Sequence, residues 1–294
     1  MNPPLSWIYN TNTKQSYYRI LTSASGNEWP ALCTIDKNHF WPEVMNKLNN
    51  KNNIIIRGLD QQSGFFLRTF GFAKYQTGQE AVINLEKERK WKKSLYELIN
   101  RGRKQGEFTE INYSIKNRIL LEEFKKTARH GGEPQLKFLF IDEFLPITRL
   151  FIIKKKSGEW LGALLISKNN PLRYHTELML KKNNTPSGIM EYLIERTCSL
   201  LKIEGCLEFS LGEVPFVKID FSNTLLNFLV RSFKPIIKTA YNYEGLFYFK
   251  NKFEPEWRKV FLCAKPRISF AKLLFLSIRS NFLRLIIFKI FHYK

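Results

Sequence analysis

The chain of 294 residues has few of the side chains that build covalent or metal-held frameworks. Four cysteines (Cys33, Cys198, Cys206, Cys263) show no CxxC spacing, and four histidines (His39, His130, His175, His292) are scattered. Neither a zinc cage nor a disulfide scaffold is indicated. No apolar run approaches the roughly 18 residues of a membrane span, and the N-terminus shows no signal-peptide core. Acid is scarce as well: 26 Asp+Glu stand against 47 Lys+Arg, a formal net charge of +21. Apolar types still make up 44%, too many for a disordered basic tail and enough for a packed core. The composition therefore predicts a soluble or surface-bound protein of a reducing compartment, built as one large domain or two lobes. Its partner is expected to be anionic, either nucleic acid or acidic lipid.

The charge is unevenly placed. After Glu256 there is no further acid, while nine Lys/Arg follow, among them Lys272, Arg279, Arg284 and Lys289. These cations are interleaved with Phe270, Leu274, Ile278, Ile287 and Phe291, so a helix here is apolar around much of its circumference. Cations interrupt any spanning segment, which predicts a basic apolar helix over 265–294 lying in the headgroup layer of a membrane. The alternative is a helix packed on its own domain with solvated lysines. A second basic stretch, 86–106, holds eight Lys/Arg and three Glu. Trp91, Leu95, Leu98 and Ile99 recur at helical spacing and predict an amphipathic helix with one buried stripe. Its outer side carries Lys90, Lys93, Arg101 and Lys104, suited to a phosphate backbone held by charge or, equally, to plain solvation.

Hydrophobic patterning predicts an α+β protein. Strands are expected at Tyr17–Leu21, Ala31–Ile35 and Ile54–Ile56, and as a pair at Phe72–Tyr75 and Ala81–Leu85. Helices are expected near Phe40–Leu48 and through Phe65, Phe66 and Phe70. In the second half, a helix at Ile119–Ala128 precedes a hairpin (Leu150–Ile153, Trp160–Ser167) and a strand at Tyr174–Leu180. Thr185 and Pro186 read as the cap and first residue of a helix that stops at Gly205. A strand (Cys206–Leu211), a helix (Thr224–Phe233) and strands near Ile236–Tyr241 and Leu246–Phe249 complete the reading. The halves echo each other weakly, each passing from a short apolar strand to a helix and then to a Tyr-bearing strand.

Five collinear segments carry a family resemblance: Phe70-Gly-Phe72 followed by Gly78-Gln-Glu-Ala-Val82; Thr185-Pro-Ser-Gly-Ile-Met-Glu-Tyr-Leu193; Phe209-Ser-Leu-Gly-Glu-Val-Pro215; Tyr241-Asn-Tyr-Glu-Gly-Leu246; and Phe249-Lys-Asn-Lys-Phe-Glu-Pro-Glu-Trp257. In order and spacing they resemble the catalytic domain of phosphatidylglycerol lysyltransferases, without that family's flippase domain. The resemblance implies two tandem GNAT-like lobes, each a mostly antiparallel sheet covered by helices. Their expected limits are 1–105 and 106–264, with the membrane-surface helix at 265–294. It also implies transfer of lysine or another amino acid from aminoacyl-tRNA to the glycerol hydroxyl of phosphatidylglycerol. The implied partners are aminoacyl-tRNA, an anionic phospholipid membrane and a separate flippase. The implied location is bacterial and cytoplasmic, peripheral on the inner face of the cell membrane. No cofactor or metal is called for.

On this resemblance Glu177 orients the aminoacyl ammonium or accepts a proton. Lys250 and Lys252, sharing one face of an extended strand, stabilise phosphate or oxyanion charge. Gly188, Ser210, Gly212, Glu213 and Tyr243 bind substrate; Lys90, Lys93, Arg101 and Lys104 bind tRNA. Where the family shows Asp-Leu-Met-Arg, this chain has Glu177-Leu-Met-Leu180, so the acid persists and the arginine is lost. Two alternatives follow: a GNAT-like acyltransferase with another acceptor, or a non-catalytic RNA- or membrane-binding relative. The Q/R-x-x-G-x-G/A loop of acyl-CoA users is absent from the sequence, with Thr185-Pro-Ser-Gly188 in its place.

Overall fold

Among the described residues eleven strands join one sheet: β1 (Trp7–Asn10), β2 (Tyr17–Thr22), β3 (Glu28–Asp36), β4 (Ile54–Leu59), β5 (Ala73–Asn84), β6 (Glu107–Ile111), β7 (Thr148–Lys154), β8 (Trp160–Asn170), β9 (Arg173–Lys181), β10 (Glu208–Pro215) and β11 (Glu256–Lys265). The computed structural model describes residues 1–5, 7–10, 17–36, 51–219, 237–238 and 241–292. The helices expected at 40–48 and 224–233, and most of the strand expected at 236–241, lie outside these residues. The sheet order is β1-β3-β4-β11-β5-β10-β9-β8-β7-β6, with β2 alongside β3. Only β1–β3, β3–β4 and β9–β10 are parallel among the described pairs. The expected α+β arrangement, a mostly antiparallel sheet covered by helices, is what the chain forms. β11, from the end of the second half, lies between β4 and β5 of the first, so one sheet runs across both halves without a break.

Strand alternation puts helices on both faces. Ile54 and Ile56 of β4 pack with Leu67 of α1 (Gln61–Arg68), whereas Ile55 faces Phe275 of α6 (Phe270–Arg279). Phe151 and Ile153 of β7 meet Leu95 and Ile99 of α2 (Lys93–Arg103) and Leu193 of α4 (Ile189–Ile203). Leu150 and Ile152 turn the other way, towards Leu121 and Phe124 of α3 (Ile115–Thr127). Each fully buried Leu, Ile or Phe in these layers contributes about 1.5–3 kcal/mol over its exposed state.

Several local expectations are corrected. The two strands read around Phe72–Tyr75 and Ala81–Leu85 are one continuous β5. Gly78 in its middle is no turn: a Cβ there would come within 2.3 Å of the Val214 carbonyl, so glycine lets β5 and β10 close. The helix expected from residue 86 begins only at Lys93, because the Asn84 side chain takes the backbone N–H of Glu86 at 2.9 Å and holds a turn there. α4 starts at Ile189 rather than Pro186; Gly188, at φ 101°, is its N-cap, while the Thr185 hydroxyl donates backwards to the Lys182 carbonyl. The strand expected at Leu246–Phe249 is instead α5 (Tyr243–Asn251), capped by Asn242, whose side chain accepts from the Gly245 N–H at 2.8 Å.

The C-terminal helix is two helices, α6 and α7 (Phe282–His292), separated at Ser280-Asn281, where Asn281 adopts φ 62°. Among the described residues no helix is long and apolar enough to cross a membrane.

Candidate active site

β9 and β10 pair only from Glu208↔Arg173 to Ser210↔His175, although both strands continue. They part where β10 bulges between Ser210 and Glu213 against β5. Gly212 sits in that bulge at φ 86°, a backbone conformation glycine adopts without steric cost. Around the opening lies a cluster of buried charged and polar side chains: Glu80 from β5, Arg173 and His175 from β9, Ser210 from β10 and Lys250 from α5.

Glu80 accepts from both the Arg173 guanidinium and the Ser210 hydroxyl. Burial pushes its carboxyl upward, but the Arg173 charge and the bonds from Arg173 and Ser210 outweigh that and hold it below the usual carboxylate range. The Ser210 hydrogen is thus committed to Glu80, and the Ser210 oxygen accepts from the Gly212 N–H at 3.0 Å. His175 Nδ1, 3.1 Å from the same oxygen, must then be the protonated nitrogen, leaving Nε2 as the acceptor. Burial lowers the His175 pKa to about 3, against the pull of Glu80, so the ring is neutral. Arg173 Nε and the Thr176 hydroxyl are buried beside these groups without a hydrogen-bond partner among the described residues, Arg173 Nε lying 3.7 Å from the Glu208 carboxylate. A cavity of about 450 Å³ opens on Glu80 and Arg173, bounded by Trp257, Arg258 and Lys259 of β11 and by Gln61 at the start of α1.

The residues singled out from the sequence divide. Ser210, Gly212 and Lys250 belong to the cluster. Lys250 does so from a helix, donating from Nζ to the Gly212 and Glu213 carbonyls at 3.0 and 3.1 Å; burial lowers its pKa to about 7. Lys252 does not share its face but pairs with Glu191 at 2.9 Å. The two lysines were expected side by side on a strand; as penultimate helix residue and cap they point apart. Glu213 adjoins the cluster, yet its carboxylate is taken by Arg57 at 2.6 Å and by the Thr77 hydroxyl at 2.7 Å. Tyr243 is buried against Val214, with its hydroxyl unpartnered among the described residues.

Gly188 is displaced from the site. Its backbone abuts Leu98 and Gly102 of α2, where it joins two helices rather than lining a channel. Glu177 is displaced too. The β8–β9 register slips beside it, and its two oxygens accept from the Ser167 hydroxyl and the Ile141 N–H. It therefore holds the 138–141 segment. Leu180, where the family arginine is lost, packs with the cluster of Leu121 and Phe124. Of the basic helix face, Lys90, Lys93, Arg101 and Lys104 are all exposed, and Arg101 donates to the Ser187 hydroxyl at 2.7 Å. Of the tail cations, Arg284 is exposed and Arg279 donates to the Thr22 carbonyl. Lys272 and Lys289 are buried, the first on the Lys265 and Arg267 carbonyls and the second on Glu133, so neither is free to meet headgroups. Sequence reasoning did not single out Glu80 as a site residue, although it lies within the matched Gly78–Val82 segment.

Glu177 offers a measurable sign. Burial raises its pKa to about 7, while the unfolded carboxyl ionises near the ordinary 4.5. Between those values the native state holds a proton that the unfolded state has released, so stability falls as pH rises through the window. Glu177→Gln removes this dependence. In urea titrations the variant should gain on the wild type by about 2–3 kcal/mol between pH 4.5 and 7.

These features define an α+β protein whose parted parallel strands enclose a buried acid–base cluster beside a cavity. A family model described as phosphatidylglycerol lysyltransferase, C-terminal, matches residues 37–264, and the chain belongs to that family. The phosphatidylglycerol lysyltransferase of Bacillus subtilis (strain 168) is 24% identical over 251 residues, covering 81% of this chain and 29% of that protein. The chain thus spans less than a third of that relative. Its fold is similar to the structure of L-PGS from Bacillus licheniformis, with TM-score 0.66, 19% identity, and 90% of this chain and 88% of that chain covered. It is likewise similar to the C-terminal domain of a putative lysylphosphatidylglycerol synthetase from Agrobacterium fabrum, with TM-score 0.65, 18% identity and the same coverage.

Proposed function

We propose that the chain transfers an aminoacyl group from charged tRNA to the glycerol hydroxyl of phosphatidylglycerol, acting as two GNAT-like lobes fused through one sheet. The observation that carries this is the neutral His175 held by Ser210 and Glu80 where β9 and β10 part. The lipid hydroxyl oxygen attacks the ester carbonyl carbon, and the bond to the tRNA ribose oxygen breaks. The hydroxyl proton passes to His175 Nε2 and then to the leaving ribose oxygen. Glu80, 3.9 Å from His175 Nδ1, stabilises the transient imidazolium. Unlike an acetyl-CoA reaction, this exchange of one ester for another is nearly balanced, so alignment and charge placement supply most of the acceleration. Lys250 keeps the β10 bulge in place, and Lys90, Lys93, Arg101 and Lys104 offer the exposed cations that a tRNA backbone needs. The acceptor places the protein at the inner membrane face, and export of the product falls to a flippase.

The test is transfer of labelled amino acid from charged tRNA into chloroform-extractable lipid with phosphatidylglycerol vesicles. Label in the lipid that is abolished by prior ribonuclease supports the reading. Label obtained only from acyl-CoA, indifferent to ribonuclease, replaces it with an acyltransferase of another acceptor. No transfer from either donor, with tRNA still bound, makes the chain a non-catalytic relative.

A further inference from the structure

The two tail helices carry apolar side chains on their outer faces as well as their inner ones. Lys272 and Phe275 of α6 are buried, while Phe270, Leu274 and Ile278, at i, i+4 and i+8, form an exposed stripe with Ile278 56% accessible. In α7, Leu285 and Lys289 are buried, whereas Ile287, Ile290 and Phe291 are exposed, Phe291 at 75%. Exposed aliphatic and aromatic side chains over buried lysines are an arrangement that water disfavours and an apolar medium rewards. Exposed Arg267 and Arg284 flank these stripes, and the tail has no acid at all.

We propose that α6 and α7 form a surface that docks on an anionic lipid bilayer, their exposed stripes entering the acyl boundary and the arginines meeting headgroups. A second copy of this chain is the poorer occupant, since apposing two such tails would bring fourteen Lys/Arg side chains together with no acid in either tail. One loop ties the surface to β9, which carries Arg173 and His175, and to Arg57, the partner of Glu213. Lys137 N–H donates to the Ser280 carbonyl at 3.0 Å, Asn281 Nδ2 to the Gln135 carbonyl at 2.7 Å, and Lys289 Nζ to Glu133 at 2.6 Å. The same loop continues to Leu139, whose carbonyl accepts from Arg57, and to Ile141, whose N–H donates to Glu177 at 2.8 Å. Docking therefore fixes the site's distance from the lipid surface through residues 133–141.

The experiment is co-sedimentation of the full chain with vesicles of phosphatidylcholine alone or mixed with phosphatidylglycerol. The double variant Ile278→Glu/Phe291→Glu, whose sites are exposed and outside the cluster, should weaken binding to mixed vesicles by at least about tenfold. Arg267→Glu/Arg284→Glu should weaken it in a salt-dependent way. Should the glutamates impair folding, Ile278→Ser/Phe291→Ser serves instead. Unchanged vesicle binding by the stripe variants overturns the proposal. So does a wild-type dimer that they convert to monomer, which assigns the surface to a second copy. Failure of aminoacyl transfer with stripe-dependent binding intact leaves this surface standing and rejects only the catalytic reading.

Discussion

Glu80→Gln is expected to be the most damaging change at the catalytic cluster, costing about 3 kcal/mol or more of stability and about 100- to 1000-fold in aminoacyl transfer. The side chain keeps its shape and still offers an oxygen to Ser210, so packing is not what is lost. The loss is the counter-charge: Arg173 is 3% exposed, and its next carboxylate, Glu208, lies 3.7 Å away. An uncompensated guanidinium at that depth accounts for the destabilisation. The kinetic loss has a separate origin in the proposed reaction, where Glu80 orients Ser210 beside His175 and stabilises the imidazolium. The two origins can be separated by replacing the pair with neutral groups. Glu80→Gln/Arg173→Met should recover much of the stability while leaving transfer as low as in the single variant. Urea midpoints and initial rates on labelled lipid measure both. A Glu80→Gln enzyme with wild-type turnover would remove the carboxylate from the mechanism.

Much of the fold was legible because long alternating or helical patterns survive tertiary context. The hairpin of β7 and β8, the strand β9 and the helices α3 and α4 lie within a few residues of their sequence readings. Misreadings fall where a local signal has two physical meanings. The stretch between Phe72–Tyr75 and Ala81–Leu85 read as a gap between two strands, yet it continues β5, and the missing side chain of Gly78 serves a close strand approach. The Tyr- and Phe-rich run at 243–249 carries strand propensity, but Tyr243, Leu246 and Phe247 recur at i, i+3 and i+4 and pack together against Val214. That period, with Asn242 as cap, was the signal that could have placed Lys250 on a helix.

The site was less legible than the fold. Ser210, Gly212 and Lys250 were found through segments that a family shares, and the cluster they form depends on partners far away in the chain. Glu80 and Ser210 are 130 residues apart and meet only because β5 and β10 pair around a bulge. No spacing rule reveals such a meeting. Glu177 shows the converse: an acid on the expected strand, turned by a register slip into holding a loop. The tail was read correctly as basic and apolar, but an idealised helix could not show that Lys272 and Lys289 turn inward while Ile278, Ile287 and Ile290 turn outward.

Gly188→Ala decides between packing and substrate binding at a position the sequence offered for the latter. At φ 101° an alanine is strained, and its Cβ would lie 2.2 Å from the Leu98 carbonyl and 2.9 Å from the Gly102 nitrogen. Both obstacles are backbone, so relief requires α2 and α4 to move apart and loosen the layer of Leu95, Ile99 and Leu193. Backbone strain and overpacking each contribute roughly 1–3 kcal/mol, so a loss of more than about 3 kcal/mol is expected. Gly102→Ala attacks the same contact from the other side, its Cβ 2.2 Å from the Gly188 carbonyl, and should cost a similar amount. Because both substitutions separate the same two helices, the double variant should lose less than the sum. Gly212→Ala is the control: its nearest neighbours are 3.6 Å away, so it bears only the strain of φ 86°. Urea unfolding of the three variants, with transfer rates normalised to folded protein, separates the roles. A Gly188→Ala chain that folds like the wild type but shows a raised KM would restore this glycine to the substrate channel.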